Sequence, residues 1–222
     1  MKKLLLAMIC LLSLGSCASM LGLKQYSGDY EYTLTSVECP QIQTEPYGEK
    51  SITTTTEDNT LKYIFKDDYI AITWTVTQEK FFFALKNLTD HNIQVIWDEA
   101  VYVDVDGGSN RVMHAGVKYS EMNNSQAPTT VAANSILTDV VSPTCNIYYN
   151  STTGWTHNSL LGRFHKEQQV VIDTMKKYQN ANLKVILPIK INGIVNEYTF
   201  TFTVTGYKLN FDPAATKSKK AK

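Results

Sequence analysis

Few side chains in this sequence have the types and spacing that chemistry needs. Asp104-Val105-Asp106-Gly107 sets carboxylates at alternate positions, the way calcium loops supply hard oxygen ligands. Gly108-Ser109-Asn110-Arg111 breaks that pattern, and a hairpin turn uses Asp106-Gly107-Gly108 without any ion. His114, His157 and His165 are scattered, and no His-x-x-x-His or His-Glu pair is present, so neither a metal nor a cofactor is expected. Asp98 and Glu99 are adjacent carboxylates at a strand end; neighbours on one strand point to opposite faces, and turn residues are the better reading. A glycan-cleaving pair needs carboxyl groups about 5 to 10 Å apart. Asp98, Glu99 or Asp104 would therefore have to converge from separate strands. No Gly-x-Ser-x-Gly elbow, phosphate loop or dinucleotide fingerprint occurs. No catalytic residue emerges, and a protein that is not an enzyme is expected.

The start of the chain carries a different kind of signal. Met1-Lys2-Lys3 precedes the apolar run Leu4 to Leu12, and Ser13-Leu14-Gly15-Ser16 closes on Cys17. A basic start, a short apolar core and small residues form a signal peptide. The run is about half of the ~20 residues needed to cross a bilayer, so it targets the chain and does not span. Leu14-Gly15-Ser16-Cys17 resembles the lipobox of bacterial lipoproteins, a resemblance confined to the leader. It implies that Cys17 receives a diacylglycerol thioether, that the leader is removed, and that the new amino terminus is acylated. Several acyl chains on one residue make a stable anchor where a single short chain holds only reversibly. Residue 18 is alanine where the family's inner-membrane retention signal is aspartate. The resemblance therefore implies the outer membrane, and the absence of an acidic cluster after Cys17 favours its periplasmic face.

With Cys10 lost and Cys17 lipidated, Cys39 and Cys145 remain in an oxidising compartment. A bond between them would close a loop of about 106 residues, worth on the order of 4 kcal/mol in the chain-entropy model. Two free buried thiols packing as small hydrophobes are the other solution. The 21 basic and 21 acidic side chains leave no overall field that would argue for nucleic acid. The one charge run, Lys217, Lys219, Lys220 and Lys222 after Asp212-Pro213, reads as a solvated tail. Its other reading is contact with anionic headgroups or the cell wall.

The body reads as strands. Ile70, Ile72, Trp74 and Val76 alternate with Ala71, Thr73 and Thr75, the period of two of a half-buried strand. The pattern recurs in Tyr30-Tyr32-Leu34, Phe81-Phe83-Leu85, Ile93-Val95-Trp97 and Val101-Val103-Val105. It returns in Leu183 to Ile191 and Tyr198 to Val204, which flank Asn192-Gly193, a strong hairpin signal. Pro188 lacks a backbone donor and predicts a sheet edge or a bulge. Asn87 to Asn92, Asp106 to Asn110 and the polar stretch from Gln41 to Asn59 read as connectors. One short helix or irregular connection is expected over Lys166 to Tyr178, with Val170, Val171, Met175 and Tyr178 on one face.

This pattern predicts an all-β, antiparallel β-sandwich with at most one short helix. Phe81-Phe82-Phe83-Ala84-Leu85-Lys86-Asn87 followed by Ile93-Gln94-Val95-Ile96-Trp97-Asp98 resembles adjacent strands of immunoglobulin-like modules of exported bacterial proteins. The chain divides into a signal peptide (1–16), a lipidated tether (17–27), the sandwich (28–211) and the basic tail (212–222). Aromatic side chains offer rigid amphipathic contact area. Tyr102, Tyr119 and Tyr207 are among the candidates, and the loop carrying Tyr148, Tyr149 and Trp155 is the favoured binding surface. The expected partner is an envelope protein or a glycan.

Overall fold

The computed structural model describes residues 25–39 and 50–213; the leader with Cys17, most of the tether and nearly all of the tail lie outside them. Antiparallel strands form two layers of one curled sheet, the β-sandwich that the alternation predicts. One layer contains β1 (Tyr26–Glu38), β7 (Val101–Val103), β8 (Ser109–Met113), β13 (Phe164–His165), β14 (Asn182–Ile191) and β15 (Ile194–Leu209) in the order β13-β1-β15-β14-β7-β8. Within it β6 (Ile93–Val95) pairs with β14, and β9 (Thr129–Val131) pairs with β6. The other layer runs β10-β5-β4-β3-β2, from β10 (Ile136–Pro143) through β5 (Phe81–Asn87), β4 (Ile70–Val76) and β3 (Thr60–Lys66) to β2 (Ser51–Glu57).

The corner between the layers is β8. Its first residues pair with β7, Arg111 facing Val101, and its last pair with β10, Met113 facing Ser142. A strand that changes partner along its length turns the sheet back on itself. The enclosed core is built from alternate residues of the facing strands. Phe200 of β15 meets Trp74 of β4 at 4.9 Å between ring centroids and Phe65 of β3 at 5.9 Å. Phe202 meets Phe81 of β5 at 5.1 Å. Truncating one such ring in a packed core costs about 3–5 kcal/mol.

Local chemistry explains the turns. Asn192 and Gly193 take φ of 50° and 82°, the left-handed pair of a tight hairpin between β14 and β15. Asn87, fully buried, places Nδ2 2.7 Å from the His91 carbonyl and 3.0 Å from that of Ala132, while its Oδ1 accepts from the Thr89 amide and hydroxyl. The Asn87 to Asn92 connector is thus folded around one amide side chain. The single α-helix among the described residues, α1 (Gln168–Lys177), rests Val171 and Met175 in the core. Val170 is exposed rather than sharing that face. Met175 lies where Gly28 of β1 leaves room, since a Cβ there would stand 2.5 Å from Met175 Cε.

Three expectations are corrected. Pro188 lies inside the sheet without a bulge, paired with Glu197 of β15. On its other side β7 pairs no further than Ile186 and β6 resumes at Ile189, so the missing donor falls in a gap between neighbours. There the Pro188 carbonyl accepts from the Ile96 amide at 3.0 Å. In β7 the buried residue is Tyr102, with Val101 and Val103 only half-buried, the reverse of the expected face. The polar stretch read as a connector contains β2, whose seven residues are exposed on both faces and so carry no alternation.

Asp67, at the turn between β3 and β4, is buried and accepts hydrogen bonds from the Tyr69 and Ile70 amides and the Tyr198 hydroxyl, each at 2.8 Å. Burial raises its proton affinity above the ordinary carboxylate range, against the opposing effect of those bonds. The folded state therefore holds this proton more tightly than the unfolded chain, and the stabilisation is present at low pH and lost as pH rises through the ordinary range to the raised value. Asp67→Asn removes the titration. Urea unfolding of both proteins between about pH 3 and pH 7 is expected to show the wild type losing stability relative to the variant as pH rises. A constant difference would contradict the assignment.

Candidate functional site

The aromatic loop favoured from sequence is a separate two-stranded sheet, β11 (Ile147–Asn150) and β12 (Gly154–His157). Its turn is built by Asn150, whose Oδ1 accepts the Thr152 amide at 2.8 Å, and by Gly154, whose φ of 77° suits a residue without Cβ. Its base is fixed by buried Ile147 and by the Asn158 amide donating to the Asn146 carbonyl at 2.7 Å. Two residues on, the Leu160 amide donates to the Gln78 carbonyl at 2.7 Å. The Gln78 side chain in turn pairs with the edge of β1, accepting from the Tyr30 amide and donating to its carbonyl. The hairpin is thus tied to both layers of the sandwich.

Register decides which rings meet. Tyr149 lies opposite Trp155, and their centroids are 5.5 Å apart, edge to face. Tyr119, from a short 3-10 turn (Tyr119–Glu121), extends the row at 5.7 Å from Trp155, and His157 ends it at 5.2 Å from Tyr119. His157 Nε2 and the Tyr119 hydroxyl are 2.9 Å apart, which fixes both rings. Burial, with the nearby Lys80 charge, lowers the proton affinity of His157, favouring its neutral form. Tyr149 is 64% and Trp155 40% exposed. Tyr148 is also exposed but, paired with Thr156, belongs to the opposite face of the hairpin. Of the three predicted residues the structure therefore joins Tyr149 and Trp155, adds Tyr119 and His157, and separates Tyr148. His157, two positions beyond Trp155, shares its face by the strand period; Tyr119 is brought in only by tertiary structure.

A second concave feature lies by the same 3-10 turn, a cleft of about 620 Å³ lined by His114, Glu121, Asn124, Ser125, Gln126 and Thr129 among others. His114 stacks on buried Trp97 at 4.3 Å with rings nearly parallel, and its Nδ1 is 3.2 Å from the buried carboxylate of Asp139. Asp98 holds the wall of this cleft. It accepts from the Ser125 hydroxyl, the Gln126 amide at 2.9 Å and the Arg111 guanidinium at 2.6 Å, and these bonds, Ser125 first, keep its carboxyl below the ordinary range.

The carboxylates considered for catalysis have separate local duties. Asp98 and Glu99 lie in a 3-10 turn before β7, not on a strand. Asp104 follows β7 and folds the β7–β8 turn, accepting from the Asp106 and Gly108 amides at 3.0 and 2.8 Å and from the Asn110 side-chain amide at 3.1 Å. The hairpin reading of Asp104 to Gly108 is thus the observed one. Among the described residues no cluster of three or more His, Cys, Asp or Glu side chains could hold a metal. Cys39 and Cys145 are both free, the first buried and the second exposed. Cys39 follows β1, while Cys145 lies beside β8 with β15, β14 and β7 between them. Four strand spacings amount to about 19 Å, beyond the roughly 7 Å at which two Cα positions can be bridged.

The three tryptophans differ sharply: Trp74 and Trp97 are fully buried, and Trp155 alone is open to solvent. Trp155→Phe is expected to remove the acrylamide-quenchable, red-shifted part of the emission while leaving the free energy of unfolding within about 0.5 kcal/mol of wild type, as surface substitutions do. Unchanged quenching would show that Trp155 is covered. Comparison of the chain with protein families, with curated proteins and with solved structures found no match.

Proposed function

We propose that this chain is a lipid-anchored envelope protein, not an enzyme, that binds another envelope component through the row Tyr149, Trp155, Tyr119 and His157. The observation that carries the reading is the exposure of two large aromatic rings, Tyr149 and Trp155, on a braced hairpin outside the main sheet. Exposed tyrosine and tryptophan held in one geometry lose little entropy on binding, and such residues dominate the energy of recognition surfaces. Anchoring rests on the lipobox at Leu14 to Cys17; Ala18 favours the outer membrane, and the lack of an acidic cluster after Cys17 favours its periplasmic face.

A second reading makes the row a carbohydrate platform. Asn150 and Thr153 lie in the turn of the same hairpin and add a neutral amide and a hydroxyl next in sequence to the ring-bearing strands, while Thr156 lies with Tyr148 on the opposite face. A sugar presents the matching combination of C–H faces and hydroxyls.

Crosslinking in cells followed by mass spectrometry tests binding. The wild type is expected to capture a discrete partner, and Tyr149→Ala with Trp155→Ala to lose at least about tenfold of it, as two contact rings each worth more than 1 kcal/mol imply. Sedimentation with purified cell-wall glycan distinguishes the second reading. Capture of nothing above background, or capture indifferent to both substitutions, would refute the surface. For the anchor, Cys17→Ala is expected to abolish palmitate labelling and leave the leader uncut. An unmodified Cys17 at the wild-type mature terminus would contradict it.

A further inference from the structure

The outermost strand of the β10-β5-β4-β3-β2 layer has an edge that no described residue pairs with and whose chemistry is self-complementary. Ser51–Glu57 pairs only with β3 among the described residues, and every residue in it is exposed. The turn beyond it, Asp58-Asn59, has φ of 49° and 58°, a two-residue hairpin in which Glu57 and Thr60 form the closing pair. Such a closing pair is hydrogen-bonded, and antiparallel ladders alternate, so Glu57, Thr55, Thr53 and Ser51 bond inward to β3. Ile52, Thr54 and Thr56 then direct their amides and carbonyls outward.

That edge lacks the usual protection. No proline lies in the strand, its pairing with β3 shows no register shift, and its charged side chains stand only at the ends, with Glu57 already paired to Lys62. Ile52 and Leu61 are 40% and 48% exposed. They lie on the face that, further along β3, carries buried Phe65 and Tyr63, so the core-facing side of the sheet continues uncovered to this edge.

We propose that β2 is the pairing edge for a second copy of this chain, joined antiparallel about a two-fold axis through Thr54. In this register Thr54 faces Thr54, Ile52 faces Thr56, and Lys50 of one copy reaches Asp58 of the other. The outward groups of both edges are satisfied by about six hydrogen bonds. Threonine opposite threonine is a favourable cross-strand pair. Shifting the register by two residues in either direction separates Lys50 from Asp58, so charge selects the Thr54-centred arrangement. The contact is isologous and closes at two copies. It joins the two sheets into one continuous sheet and leaves the aromatic row, on a different hairpin, free. This inference does not rest on the lipid anchor or on the aromatic row.

Single cysteines test it in the full chain with Cys10, Cys17, Cys39 and Cys145 replaced by serine, with copper phenanthroline as oxidant. Across a two-fold axis Thr54→Cys meets itself at a Cα separation of about 5.5 Å, within the range for a disulfide. It is expected to give a covalent dimer at least roughly tenfold faster than Thr138→Cys, an exposed control on β10. A mixture of Thr53→Cys and Thr55→Cys chains is expected to crosslink while each alone does not, because those positions face each other. Circular dichroism confirms that each variant is folded. Crosslinking of Thr54→Cys no faster than the control, crosslinking of Thr53→Cys to itself, or capture of a different chain would overturn the proposal.

Discussion

The packing of Phe200 and Phe202 on β15 against Trp74, Phe65 and Phe81 holds the two layers together. β15 is the longest strand, and it pairs with β1 on one side and β14 on the other over most of its length. Its inward residues must therefore find partners on the opposite layer. The switch of partners along β8 makes this possible by folding one sheet over itself. Asp67 adds a polar tie across the same interior, bonding the β3–β4 turn to Tyr198 of β15. That tie excludes water from a carboxylate that would otherwise ionise readily, which makes it conditional on pH.

The aromatic row inherits its rigidity from this frame. Leu160 and Leu161 enter the core just after β12, and Gln78 links that segment to the edge of β1. The half-buried rings of Tyr119 and His157 are held by their mutual hydrogen bond. Under the proposed reading, a surface held in one geometry in the free chain loses less entropy on binding.

Strands with one buried face were legible because burial imposes a period of two: Ile70 to Val76, Phe81 to Leu85 and Tyr198 to Val204 fall where the alternation put them. The signal fails where that cause is absent. β2 faces solvent on both sides, so its threonines show β-branching without alternation. In β7 apolar residues stand on both faces, and hydrophobicity alone could not tell buried Tyr102 from its valine neighbours. Pro188 misled because a missing donor is harmless where two neighbouring strands leave a gap, a tertiary fact. The nearness of Tyr149 and Trp155 was legible because they share one loop, whereas Tyr119, named among the wider aromatic candidates, comes from a segment some thirty residues away and nothing local placed it beside them.

Hydrogen exchange read by mass spectrometry tests most directly the claim that recognition is confined to the aromatic row. Full-length protein in envelope fractions of the cells that express it would be compared with the same protein purified. The account predicts added protection in peptides covering Tyr119 and residues 147–157 in the envelope fractions, with β14 and β15 equally protected in both. Equal exchange at the hairpin in both states, or protection gained only elsewhere on the sandwich, would contradict it.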